Sequence, residues 1–354
     1  GRSHVLGWNQ GTTGYSQADY FRSSSSGSPI DGRSIAYARD ALAAFVFDQV
    51  QVDGNSVATP GASVADLTAQ QVKDIWQGTT KCWATIDKTL SGLADVADGS
   101  NAAYITGGNF DETKWLPLAK AATGAGYAAS DEYKACTPIA VYTVPTTSGT
   151  RQAWDSLAAG GTGKGEAFLA LDDPFTGDVF TSAEKTQRTI PENNASPIAN
   201  RLNTDGINTD LVTNSIYFYS IGKYTTALGG LDGNGDPILD GNSTKKTGFT
   251  DRLLNVTGGL PATAANIALS SNGYLYARNL FFGYLYPNQA TRNYLDPLNG
   301  FLCSTKTDEM TDPINSFNVR EQIEGAILSA GFIPLPVGAV GGGLTGNSYC
   351  RQQT

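Results

Sequence analysis

The stretch Ser34–Val52, Ser-Ile-Ala-Tyr-Ala-Arg-Asp-Ala-Leu-Ala-Ala-Phe-Val-Phe-Asp-Gln-Val-Gln-Val, constrains the fold most. It is mostly apolar, β-branched or aromatic in its second half, and has no polar face, so it reads as a buried strand closed by the polar Asp53-Gly54-Asn55-Ser56. A helix is expected next, because Leu67, Val72, Ile75 and Trp76 recur near helical spacing and Thr68 with Gln71 forms a capping box. Strand character returns over Ile139–Val144, immediately before the turn Thr147-Ser148-Gly149-Thr150-Arg151, and Ala153, Trp154, Leu157 and Ala158 resume a helical pattern. Apolar runs at Ser215–Tyr224 and Tyr274–Tyr286 read as further buried strands, and Val319–Ala330 as a helix. This alternation of strands and helices predicts an α/β class. At 354 residues the chain also exceeds the roughly 250 to 300 at which one core stops growing, so two lobes are expected.

Composition narrows the function. Only 16% of residues are charged and the net charge is -9, with no basic patch, which argues against nucleic acid as a partner. A surface rich in glycine and hydroxyl residues, with a single His and a single Met, suits an extracellular protein. The four cysteines, Cys82, Cys136, Cys303 and Cys350, lack the C-x-x-C spacing of zinc or redox sites and read as disulfides. Three connectivities are open to them; the spacing favours Cys82 with Cys136 and Cys303 with Cys350. Oxidised cysteines imply a secreted or cell-surface protein, and the opening Gly1-Arg2-Ser3-His4 lacks a leader pattern, so a leader is expected to have been removed. No apolar run approaches the roughly 18 residues of a membrane span.

Enzyme motifs are poorly matched, and no catalytic residues are assigned. The only histidine is His4, no Gly-x-Ser-x-Gly elbow is present, and Asp172 with Asp173 reads as a solvated loop pair. The glycine run Ala159–Gly165 resembles a phosphate-binding loop only superficially, lacking a Ser or Thr after Lys164. Asp232, Asn234, Asp236 and Asp240 alternate as in the first half of a calcium loop. Pro237 and the missing twelfth-position Glu favour an ordinary turn there, so calcium is the one cofactor considered. The turn at Thr147 carries the clearest chemistry. A strand feeding a helix through small hydroxyl residues presents N–H groups and a favourable dipole to an anion, with Ser148 and Thr150 as hydroxyl donors and Arg151 as added charge. The competing reading is that Ser148 caps its own helix.

Several segments, in chain order, resemble the phosphate-binding proteins of ABC transporters. Thr147–Arg151 is similar to their Ser-Gly-Thr loop, and Leu67–Gly78 to their Leu-Thr-x-x-Gln helix. Asp19–Ser24 resembles the second phosphate loop of secreted actinobacterial relatives. Ile190-Pro191-Glu192-Asn193, Ser215–Ser220 and Asn299–Ser304 are further matches. The resemblance implies a two-lobed periplasmic-binding-protein-like fold with two crossing hinge strands near Ala41–Val50 and Tyr276–Tyr284. Residues 1–45 and 277–354 would form lobe I and residues 50–272 lobe II. It further implies an interlobe cleft lined by Thr12, Thr13, Ser23, Ser24, Ser25, Ser148, Gly149, Thr150 and Arg151, capturing a small oxyanion or polar solute, with an ABC permease as partner. Two departures stand out. Val144 replaces the family's Arg four residues before the Ser, and serines replace its Asp in the second loop, so phosphate selectivity does not carry over. The family's first strand also has no counterpart before Trp8–Gly14. Either the N-terminus is processed, or another chain supplies that strand, which would make a filament-forming extracellular subunit with a degenerate ligand site.

Overall fold

A computed structural model describes residues 20–23, 32–52, 55–124, 126–203, 206–224, 249–269, 272–285, 319–334 and 348–349. The chain divides into two compact units, one of residues 1–41 and 262–354 and the other of Leu42–Pro261. It passes between them inside the long strand Gly32–Val52 and again at Pro261. The architecture is α/β, and the long strand realises the apolar run that reads as a buried strand.

In the first unit, the Gly32–Ala41 half of this strand pairs antiparallel with Ala277–Leu285, with a register shift at Leu280/Phe281. Ala277–Leu285 pairs in turn with Tyr20–Ser23. The strand expected to cross near Tyr276–Tyr284 therefore pairs along its whole length with the first-unit half of the long strand. The short strands Ile333–Pro334 and Ser348–Tyr349 also pair with that half. Ala38, Leu280, Ile327 and Phe332 form a buried cluster, which takes in the helix Val319–Ser329. Directly opposed in the ladder, Asp40 and Arg278 make a buried ion pair at 2.9 Å. A second donor, Nε of Arg278, reaches the same carboxylate oxygen at 3.2 Å.

In the second unit, Leu42–Val52 is flanked antiparallel by Ser215–Ser220 and by Thr250–Val256. Outside these, Ala140–Val141 pairs parallel with Ser215–Ile216, and Asp66–Leu67 pairs parallel with Asn255–Val256. These four strands run one way, as does the short strand Asn55–Ala58 paired to the end of the long strand, and the long strand runs opposite to them all. The expected strand Ile139–Val144 is only two residues long as a ladder, extended by a single parallel bridge from Thr143 to Thr189. It lies between Pro138 and Pro145, which have no N–H to donate. The run Ser215–Tyr224 is a strand only to Ser220, after which Ser220 Oγ accepts from Lys223 N and the chain turns helical.

Two helices are clamped to this sheet by aromatic packing. The helix Ala69–Gln77 starts at the expected capping box, Thr68 with Gln71, and ends at Gly78 with φ 75°. A Cβ at Gly78 would also lie 2.8 Å from the Phe168 Cα, so glycine is required there twice over. Its Trp76 meets Trp154 of the helix Gly149–Leu157 edge-on at 4.8 Å, and Trp154 stacks on Phe218 at 4.6 Å. Trp76 Nε1 donates to the Tyr142 carbonyl, so this large ring is buried without an orphaned donor.

The expected Cys82–Cys136 disulfide is present, with both cysteines fully buried. Cys303 and Cys350 lie outside the described residues. Cys82 precedes the short helix Trp83–Ile86 without a capping side chain of its own. Glu112 supplies the acceptor instead, taking hydrogen bonds from Lys81 N at 2.9 Å, Cys82 N at 3.2 Å and the Thr85 hydroxyl. Burial raises the Glu112 pKa, against the lowering effect of those donors and of the Lys81 charge. A carboxyl with a raised folded-state pKa holds its proton in the folded chain after the unfolded chain has released it, so stability falls as pH rises through that window. Urea midpoints followed upward from the ordinary glutamate range are expected to show this decline in the native protein. The decline should be shallower in Glu112→Gln; an unchanged slope would mean that Glu112 does not cause it.

Candidate functional site

The carboxyl ends of parallel strands are where an α/β sheet leaves helix N-termini and loops free to meet a ligand. In the second unit three such ends are joined by hydrogen bonds. The segment after Ala140–Val141 leads to Ser148, the segment after the Thr189 bridge leads to Glu192, and the strand Ser215–Ser220 ends at Ser220.

Ser148 is the N-cap of the helix Gly149–Leu157. Its Oγ accepts from Thr150 N at 3.1 Å and Arg151 N at 3.3 Å, so the helix is capped by its own serine. The same hydroxyl donates to Glu192 Oε2 at 2.7 Å, and the Thr150 hydroxyl donates to Glu192 Oε1. One carboxylate therefore bridges both hydroxyls that the sequence offers to an oxyanion. Backbone geometry brings it there. Thr143 N donates to the Arg188 carbonyl and Ile190 N to the Thr143 carbonyl, which aligns the two segments. Asn193 then takes a left-handed conformation, φ 55°, and its Oδ1 accepts from Ser220 N at 3.0 Å.

Arg151 does not add charge to this edge. Its side chain is 1% exposed and turns inward. Nε donates to Asp155 Oδ1 at 2.8 Å, while Nη1 donates to the Thr143 hydroxyl at 2.7 Å and the Val144 carbonyl at 3.1 Å and lies 3.3 Å from Glu166. The reason is helical spacing: Asp155, one turn along, presents a carboxylate to the guanidinium on the buried face. The glycine run Ala159–Gly165 finds its role in the same network. Gly163 N and Gly165 N donate to the Asp155 carboxylate at 2.8 and 2.7 Å, so the run does cradle an anion, and the anion is a side chain of this protein. A Cβ on Gly165 would lie 2.7 Å from Asp155 Oδ1, leaving glycine as the residue that permits the approach.

Of the other expected site residues, Ser23 ends the strand Tyr20–Ser23, paired with Phe281, and so is strand backbone in the first unit. Thr12, Thr13, Ser24 and Ser25 lie outside the described residues, as do Asp232, Asn234, Asp236 and Asp240 of the calcium loop. The pair Asp172 and Asp173 is not a solvated loop pair. Asp173 is buried against Arg188 at 3.3 Å, with the Arg188 guanidinium 4.8 Å from the Phe175 ring centre. Burial raises the Asp173 pKa, and the Arg188 charge opposes that. Asp172 accepts an ion pair from Lys120 at 2.7 Å. Sequence reasoning gave no role to Glu192, although the Ile190–Asn193 segment stood out. It also passed over Asp155, whose four-residue spacing from Arg151 was legible.

No protein-family model matches the chain, and no curated protein does. Among solved structures it is similar to an ABC-type phosphate transport receptor from Vibrio cholerae, at 18% identity over 95% of this chain and 85% of that one, with a TM-score of 0.42. It is also similar to PstS from Borrelia burgdorferi, at 12% identity over 95% and 93% of the two chains, TM-score 0.38. A phosphate-binding protein from Stenotrophomonas maltophilia matches at 12% identity over 95% and 81%, TM-score 0.42.

Proposed function

We propose that this chain is a secreted binding protein that captures a small oxyanion or other small polar solute, without chemistry, at the carboxyl edge of the sheet in the unit Leu42–Pro261. The observation that carries the reading is the convergence of Ser148 and Thr150, Glu192 and Asn193, and Ser220 from three strand ends. Hydroxyls, a carboxylate and an amide together offer both donors and acceptors, the mixture a polar ligand needs for orientation. Ser148 Oγ is held by two N–H groups as the N-cap of its helix, a structural use of the hydroxyl that favours binding over nucleophilic chemistry. The buried disulfide favours an oxidising compartment. An ABC permease as partner rests on the sequence resemblance.

Thermal unfolding in the presence of phosphate, sulfate and neutral monosaccharides tests the reading. A solute at about 100 times its Kd should add roughly 3 kcal/mol of stability, and Ser148→Ala/Thr150→Ala should remove that gain. The hydroxyl pair already filled by Glu192 favours one alternative, a structural extracellular subunit whose ligand site has degenerated. Failure of every solute to stabilise the protein, with filaments in electron micrographs of native material, would decide for it.

A further inference from the structure

We propose that Glu192 sets the ligand class of this site: its carboxylate stands where an oxyanion would sit, so the native protein rejects free oxyanions and takes an uncharged solute bearing adjacent hydroxyls. The inference rests on the solute-binding reading above and narrows it. Each of the Ser148 and Thr150 hydroxyls has one proton to donate, and each donates it to a different oxygen of the same carboxylate. The capping N–H groups of Thr150 and Arg151 are likewise engaged, by Ser148 Oγ. The guanidinium of Arg151, on the same helix start, is turned inward to Asp155 and Glu166 and so does not offset a second negative charge.

An incoming phosphate or sulfate therefore meets no uncommitted hydroxyl proton on this pair and a fixed negative charge within a few ångströms. At an effective dielectric between those of a protein surface and water, that repulsion is on the order of 10- to 100-fold in affinity. A neutral solute meets the opposite situation. Two adjacent hydroxyls can donate to the two carboxylate oxygens, each of which has a second lone pair beyond the one that accepts from Ser148 or Thr150. Glu192 is exposed, so it can be replaced without opening a core.

Isothermal titration with inorganic phosphate and with sulfate at low ionic strength, on the native protein, Glu192→Ala and Glu192→Gln, tests this. The native protein should show no binding heat; Glu192→Ala, which empties the position, should bind, and Glu192→Gln, which removes the charge but still fills the position, should bind more weakly than Glu192→Ala. Ser148→Ala/Thr150→Ala/Glu192→Ala should lose the acquired binding, which would place the anion on those hydroxyls. Native protein that binds phosphate as tightly as the variants, or variants that gain nothing, would overturn the inference. The underlying reading fails separately: it falls if no neutral monosaccharide and no oxyanion stabilises the native protein, whatever the variants do. Thermal midpoints of the variants close to the native value would show that the fold is intact.

Discussion

Cys82→Ala/Cys136→Ala lowers the stability of the Leu42–Pro261 unit by about 4 kcal/mol, an expected shift of roughly 10 °C in its midpoint by scanning calorimetry. The closed loop spans a sequence separation of 54 residues, and opening it restores that chain entropy to the unfolded state. The loop also holds much of the aromatic core on this side. Trp83 donates from Nε1 to the Asn214 carbonyl, and Trp115 and Tyr133, which lie within the loop, are also buried. Because both sulfurs are enclosed, a mild reductant should leave the native bond untouched and cleave it only as the unit unfolds. A double variant that unfolds at the native midpoint would mean that packing and the Glu112 anchor hold the loop without the bond.

Arg151→Ala is expected to destabilise the same unit by about 3 to 5 kcal/mol in urea, the usual range for breaking one partner out of a buried ion pair. Asp155 keeps its backbone donors from Gly163 and Gly165 but loses its counter-charge in a site only 5% exposed. Lysine should not rescue the loss, because Nε and Nη1 of the guanidinium serve Asp155 on one side and Thr143 with Val144 on the other, a fork that an ammonium cannot span. Arg151→Met/Asp155→Leu should recover part of the lost stability, since no unpaired charge is then buried. Were Arg151 a ligand contact instead, its replacement would change solute affinity and leave the urea midpoint alone.

These two expectations mark the line between local and long-range information. The capping box at Thr68 and Gln71, the Ser148 cap and the long strand all appear where their residues indicate, because each depends on hydrogen bonds or side-chain periodicity within a few positions. The helix Val319–Ser329 is equally legible. The two-residue ladder at Ala140–Val141 is not, since its length depends on which partner strands reach it and where Pro138 and Pro145 interrupt the donors.

The chemistry of the candidate site divides the same way. By itself the sequence determined that a strand, a Ser-Gly-Thr turn and a helix N-terminus follow one another, and that such a turn suits an anion. Only the tertiary structure decided which anion. Glu192 lies 44 residues beyond Ser148 and comes to it through the Thr143–Thr189 pairing, while the inward turn of Arg151 follows from Asp155 and the glycine run wrapped around it. Both cradles that look ready for a phosphate hold carboxylates of the protein itself. Hydrogen-bond donors at a helix start can be read from a few adjacent residues, but the acceptor that reaches them is fixed by the packing of distant segments.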